Sequence, residues 1–233
     1  MVDASITISA EDFKRELDFV KGLIVNLGID QKVSRCSLLT YGSKASIEFG
    51  LQSHSSQEEV VSAISKAKQL EGSGGTESAL RRILELFEKH DNKGSPVVGY
   101  IFMHEKSTNI EATIEQAQVV RSKGIILFGV AIGRAVDEKM LTSIVTGPEL
   151  IIRAESFQAI ERSRTIVETK TRQQVESWTS KVSANTMNAN FTVTHIQRRY
   201  KAHRLSSCVE IVGEIEIPNL YSAMSRETNQ WSA

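Results

Sequence analysis

The stretch Gly124-Ile125-Ile126-Leu127-Phe128-Gly129-Val130-Ala131-Ile132 is apolar at every position other than its two glycines. Residues 97–103 have the same apolar character, and a helical pattern covers residues 109–122 between the two stretches. Strands that are apolar on both faces are typical of parallel sheets whose two faces are covered by helices. The two stretches therefore predict the centre of a doubly wound α/β sheet.

Helical and strand patterns alternate before and after this centre. Phe13, Leu17 and Val20 lie on one apolar face of a helix predicted from about residue 10 to residue 28. Residues 46–51 alternate polar and apolar side chains, which predicts a half-exposed strand paired with the preceding one as a hairpin. The other predicted elements are strands at 33–40 and 150–152, and helices at 57–70, 77–90, 137–144 and from 156. The predicted fold class is α/β: a doubly wound, mostly parallel sheet with helices on both faces.

The composition indicates one core and argues against two kinds of partner. The chain has 233 residues, of which 40% are hydrophobic, and this is enough for one full core. Its 28 Lys and Arg residues balance 28 Asp and Glu residues, so no net charge favours nucleic acid. We find neither an apolar run that predicts membrane insertion nor the pattern of a signal peptide. Cys36 and Cys208 are too few for a disulfide scaffold, and whether they pair stays open.

Oxygen-bearing side chains are concentrated in two loops. Asp3, Ser5 and Thr7 stand at alternate positions, and Thr76 follows a glycine-rich run at residues 72–75. A carboxylate and hydroxyls on one side of a loop are the oxygen ligands that a hard divalent cation such as Mg²⁺ takes. The same residue types also form turns and helix caps, so a turn and a cap ahead of the helix at residue 10 is the alternative.

Several motifs occur in order along the first two-thirds of the chain. They are Asp3-Ala4-Ser5-Ile6-Thr7, Phe13-Lys14-Arg15-Glu16-Leu17, Leu39-Thr40-Tyr41-Gly42 with Ile47-Glu48-Phe49, Gly74-Gly75-Thr76 before Ala79-Leu80, and Leu127-Phe128-Gly129-Val130-Ala131-Ile132-Gly133. Together they resemble the von Willebrand factor A (vWA) domain of the extracellular collagen and matrilin type, over residues 2 to about 160. The resemblance implies a metal ion-dependent adhesion site (MIDAS) at the edge of the sheet where the parallel strands end, here called the carboxyl edge.

The resemblance also assigns the residues of this site. The implied metal ligands are Asp3, Ser5, Thr7 and Thr76, with Asp3 acting through water. The third loop of the family reads Thr-Asp-Gly, whereas residues 103–105 of this chain read Met-His-Glu, so His104 takes the place of a carboxylate. Imidazole suits Zn²⁺ or Ni²⁺ better than Mg²⁺, although Glu105 could reach back and restore a carboxylate. We therefore expect a degenerate site that binds Mg²⁺ weakly.

The first strand of the predicted sheet is unusually short in this sequence. In the family this strand is central and has about five apolar residues before its Asp, whereas only Met1 and Val2 precede Asp3 here. We expect an N-terminal truncation, a misplaced start codon, or a replacement strand such as residues 208–217.

Beyond the resemblance the chain changes character. We predict three parts: a vWA-like domain at 1–160, a charged helical extension at 161–183, and a tail of uncertain structure at 184–233. Asn190 in the tail starts an Asn-Phe-Thr triplet, which is the acceptor pattern for N-glycosylation in a secreted protein.

The resemblance predicts a binding module rather than an enzyme. The expected function is protein binding in the extracellular matrix or at the cell surface, with weak or lost metal dependence, and collagen or another matrix protein as the partner. An intracellular vWA-like scaffold within a larger complex is the alternative. A catalytic role is the least favoured, because the sequence has neither a G-x-S-x-G motif nor a phosphate-binding loop.

Overall fold

A computed structural model of the protein describes residues 1–28, 34–89 and 94–188. The predictions for Asn190, for Cys208 and its pairing with Cys36, and for the replacement strand at 208–217 lie outside these residues. In the described part of the chain, no helix is both long enough and apolar enough to cross a membrane.

Strands and helices alternate along the described residues, as predicted. The strands β1 to β6 are Val2–Asp3, Leu38–Tyr41, Ala45–Phe49, Val97–Met103, Ile125–Ile132 and Ile151–Ala154. The helices α1 to α6 are Ala10–Asn26, Gln57–Ile64, Thr76–Lys89, Ile110–Ser122, Glu138–Ile144 and Arg164–Asn188, with 3₁₀ helices at Pro148–Leu150 and Phe157–Ser163. The α/β class is confirmed.

The strands form two three-stranded sheets, β3-β2-β1 and β4-β5-β6, which hydrogen bonds of Met1 join in the order β3-β2-β1-β4-β5-β6. The pairs β1/β2, β4/β5 and β5/β6 are parallel, and β2/β3 is the predicted antiparallel hairpin. Met1 joins β1 to β4, because its carbonyl accepts from the Phe102 amide (3.0 Å) and its amino nitrogen donates to the Tyr100 carbonyl (2.7 Å). The first strand is therefore central as well as short.

Two elements are shorter than predicted. Strand β2 begins at Leu38 instead of residue 33, and helix α2 ends at Ile64 instead of residue 70. The helix ends early because the chain turns toward the first loop, where the Leu70 amide donates to the Ala4 carbonyl (2.7 Å). An extended segment that bonds to the first loop cannot also continue a helix.

The sheet is covered on both faces. On one face Phe19 of α1 packs edge to face against Phe102, with ring centroids 5.8 Å apart. On the other face Leu80 and Met140 pack into a second cluster with Leu127. All eight residues of β5 are buried, as expected for a strand between two layers of helices.

The start of α6 packs against the sheet and helix α1. Val167 is fully buried, and the Thr171 hydroxyl is 2.6 Å from the Tyr100 hydroxyl. The Arg164 guanidinium lies over the Phe19 ring at 5.6 Å. The first two turns of α6 therefore pack on the core, and the division of the chain at residues 160 and 183 stays a prediction.

We predict that Val167→Ala destabilises the fold by about 2 kcal/mol, because it removes two buried methyl groups and leaves a cavity. Ile166→Ala is the matched control, since Ile166 is the adjacent residue of the same helix and is 50% exposed. Its effect should stay within about 0.5 kcal/mol. Urea unfolding of both variants measures the difference, and equal effects would contradict the docking of α6.

Candidate metal centre

Three chain segments bring polar side chains to the carboxyl edge of the sheet. Asp3 ends β1, and His104 and Glu105 follow the end of β4. The glycine-rich loop before α3 lies beside the first loop, because the Ile6 amide donates to the Gly72 carbonyl (3.2 Å). These residues of the predicted site therefore lie at the edge where open α/β sheets commonly bind ligands.

Asp3 is nearly fully buried, with 3% of its side chain exposed. Its Oδ1 accepts from the Ser5 amide (3.1 Å), and its Oδ2 lies 2.7 Å from Nδ1 of His104. A buried carboxylate needs such partners, because an unpaired charge in the interior is costly. The first loop thus forms the predicted turn, but the predicted cap is supplied by Ser9, whose hydroxyl accepts from the Asp12 amide.

His104 lies between the carboxylate and a hydroxyl of the first loop. Its Nδ1 faces Asp3, its Nε2 is 3.0 Å from Oγ1 of Thr7, and only 14% of its side chain is exposed. Burial lowers the pKa of His104, but the hydrogen bond and charge of Asp3, together with the charge of Glu105, outweigh it and raise the pKa above its usual value.

The side chain of Glu105 reaches back to the site, a possibility that the sequence left open. Its Oε1 accepts from the Gly74 amide (3.1 Å), which ties the third loop to the glycine-rich loop. Its Oε2 accepts from the Thr7 hydroxyl (3.3 Å) and lies 3.9 Å from Nε2 of His104. A second carboxylate is therefore present, one position after the place where the family has it.

The hydroxyl residues divide into two groups. Oγ of Ser5 and Oγ1 of Thr7 are 2.9 Å apart and join the network around His104. Thr76 is buried at the start of α3, beside Tyr41, whose hydroxyl donates to the Phe102 carbonyl. Among the described residues, the hydrogen bonds around His104 include Ser5 and Thr7 but not Thr76.

Glu16 is a residue of this site that sequence reasoning missed. Its Oε1 accepts from the Asp3 amide (3.0 Å), and its Oε2 has no hydrogen-bond partner among the described residues. Burial raises the pKa of Glu16 well above its usual value, and the nearby Asp3 charge raises it further. One feature of the sequence could have indicated this role: Glu16 stands three residues after Phe13, within the otherwise apolar face of α1.

The arrangement fits a divalent metal ion. Within the described residues, Asp3, His104 and Glu105 each offer one ligand atom, and these atoms lie within 4.8 Å of one another. Two carboxylates and one imidazole are a donor set for borderline metals such as Zn²⁺.

We predict that His104 stabilises the metal-free protein in a pH-dependent way. Because its pKa is raised by folding, its contribution should be fully present below the unfolded value of about 6.5 and be lost as the pH rises through the folded pKa. The measurement is the free energy of unfolding of wild type minus that of His104→Gln, over a range of pH with a chelator present. A difference that does not change with pH would contradict the pairing with Asp3.

Known proteins share this chain's sequence pattern over the described domain. Residues 1–167 match the von Willebrand factor type A domain. Cuticlin-6 of Caenorhabditis elegans is 24% identical over 163 residues, which are 70% of this chain and 28% of that protein. Matrilin-2 of Mus musculus is 26% identical over 168 residues, which cover 69% of this chain and 17% of that protein. The matched part of the chain therefore corresponds to less than a third of the length of either relative.

A solved structure shares the fold. Proximal thread matrix protein 1 from the mussel byssus, with a zinc-occupied MIDAS motif, has a TM-score of 0.67 at 18% identity, covering 72% of this chain and 43% of that chain. The sequence relatives are vWA proteins of the extracellular matrix type, and the family match covers residues 1–167. The chain belongs to the von Willebrand factor type A domain family.

Proposed function

We propose that this chain is a protein-binding, adhesion-type vWA module of an extracellular matrix or cell-surface protein. The observation that carries the proposal is the cluster of Asp3, Thr7, His104 and Glu105 at the carboxyl edge of a vWA sheet. Relatives of the matrix type support an extracellular location and a partner that is collagen or another matrix protein.

The first loop offers a fixed contact surface for such a partner. Ile6 is 70% exposed between the buried Ser5 and the exposed Thr7. Its amide donates to the Gly72 carbonyl, and the Ala4 carbonyl accepts from the Leu70 amide, so the backbone that leads into Ile6 is held in place. A preordered loop loses little conformational entropy on binding, and an exposed apolar side chain at its tip supplies contact area.

A divalent ion would extend this surface with a charged contact. By resemblance Asp3, Ser5, Thr7 and Thr76 would hold it, and His104 and Glu105 add their own ligand atoms at the same edge. An ion held there supplies an open coordination position that an acidic side chain of the partner could fill. The zinc in the mussel byssus structure supports a divalent ion at this edge. Because an imidazole replaces one carboxylate, we propose that dependence on Mg²⁺ is weak or lost.

The alternative is an intracellular vWA-like scaffold in a larger complex. It uses the same edge and differs in the class of partner. We favour the matrix function because the relatives are of the matrix type.

We propose recognition rather than catalysis for both candidate functions. The described cluster is held in a hydrogen-bonded network that is suited to positioning a contact.

We predict that Ile6→Ser weakens binding to purified collagens or other purified matrix proteins about fivefold or more, as expected when an exposed apolar anchor worth over about 1 kcal/mol is lost. Val119→Ser is the matched control. Val119 is 44% exposed, and it lies near the end of α4, which begins at the carboxyl edge and runs away from it. Surface plasmon resonance with immobilised matrix proteins measures both variants.

Two results would count against the proposal. Equal loss in both variants would show that the first loop is not the contact surface. Failure of the wild type to bind any matrix protein, together with specific recovery of an intracellular complex, would favour the scaffold alternative.

A further inference from the structure

We infer that this chain holds its ion in a histidine-carboxylate centre, in which Nε2 of His104 and Oε2 of Glu105 bind the metal and Asp3 orients the imidazole from behind. The inference deepens the proposed function at the same edge of the sheet. It differs from the arrangement implied by the family, in which the ion lies among Ser5, Thr7 and Thr76.

Both oxygens of Asp3 are already engaged by the protein. Oδ1 accepts from the Ser5 amide, and Oδ2 lies 2.7 Å from Nδ1 of His104. A carboxylate that accepts the Nδ1 proton fixes the imidazole so that its other nitrogen is the metal ligand, and this pairing is common in metal sites. Asp3 is nearly fully buried, with 3% of its side chain exposed, so it supports the ring from the interior side of the site.

The Thr7 hydroxyl lies between Nε2 of His104 and the carboxylate of Glu105. Nε2 of His104 is 3.0 Å from Oγ1 of Thr7, and Oε2 of Glu105 is 3.3 Å from the same oxygen. When the ring is neutral and carries its proton on Nδ1, Nε2 and Oε2 are both acceptors served by the single hydroxyl proton of Thr7. A cation at this point would satisfy both acceptors.

The distances fit a tetrahedral zinc ion after a small adjustment. Zinc bonds of roughly 2.0 to 2.2 Å place two tetrahedral ligands about 3.3 to 3.5 Å apart. Nε2 and Oε2 are 3.9 Å apart, so the pair needs to close by about half an ångström. Glu105 can do so without leaving the site, because its Oε1 is held by the Gly74 amide.

The arrangement implied by the family is less well supported by the contacts. It needs the Thr76 hydroxyl, and Thr76 is a buried residue that takes no part in the hydrogen bonds joining Asp3, His104 and Thr7 in the described part of the chain. It also favours Mg²⁺, which takes oxygen ligands in octahedral geometry. The pair of hydroxyls of Ser5 and Thr7, 2.9 Å apart, is compatible with it. The two arrangements therefore differ in which residue is essential and in which metal is preferred.

Calorimetric titration of the chelator-stripped chain with zinc chloride and with magnesium chloride tests the inference. We expect Zn²⁺ to bind at least tenfold more tightly than Mg²⁺. His104→Gln removes a proposed ligand, so its remaining Zn²⁺ affinity measures binding by the other histidines and the cysteines. Glu105→Gln should lower the Zn²⁺ affinity toward that level. Asp3→Asn should weaken Zn²⁺ about 10- to 100-fold, as loss of an orienting partner does. Thr76→Val, of similar shape, should leave Zn²⁺ affinity unchanged.

The matched exchange is His104→Asp, which restores the carboxylate of the family. It should reverse the preference by lowering Zn²⁺ affinity and raising Mg²⁺ affinity. Thermal melts followed by circular dichroism confirm that each variant is folded.

The inference is overturned if Thr76→Val abolishes binding, if Mg²⁺ binds the wild type better than Zn²⁺, or if His104→Gln binds Zn²⁺ as well as the wild type does. It is also overturned if the folded wild type binds neither ion. In each of these cases, retained binding of a matrix protein in the presence of a chelator would leave the proposed function standing.

Discussion

The contact between the Asp3 carboxylate and the His104 imidazole links the end of β1 to the end of β4. A carboxylate buried to this degree needs hydrogen-bond partners, and Nδ1 of the ring serves one oxygen while the Ser5 amide serves the other. The remaining contacts of the edge follow from this pair. The position of the ring places Nε2 at Thr7, and Thr7 in turn contacts Glu105.

The short first strand makes this edge more dependent on its loops. Strand β1 has two residues, yet it lies at the centre of the sheet between β2 and β4. The segment after α2 also holds the first loop. The Leu70 amide donates to the Ala4 carbonyl, and the Ile6 amide donates to the Gly72 carbonyl. The first loop thus carries an exposed Ile6 on a backbone that is hydrogen-bonded to the segment after α2.

The sequence predicted the architecture well because its strongest patterns are set by burial. The apolar run of β5 and the spacing along α1 leave few alternatives, whereas the expected site residues came from the resemblance to the vWA family. The early end of α2 was missed because it depends on a long-range bond between Leu70 and Ala4. Side-chain directions were also beyond prediction. That Glu16 supports Asp3 was missed, and that Glu105 reaches back was left open, because both are decided by tertiary contacts.

The orientation of the His104 ring is the central claim, and nitrogen-15 NMR of the imidazole side chains tests it most directly. The His104 signals, identified by their loss in His104→Gln, should show the proton on Nδ1 at a pH well above the pKa of the ring. Addition of Zn²⁺ should then shift Nε2 while Nδ1 keeps its proton. A proton on Nε2, with Nδ1 free to bind the ion, would contradict the account.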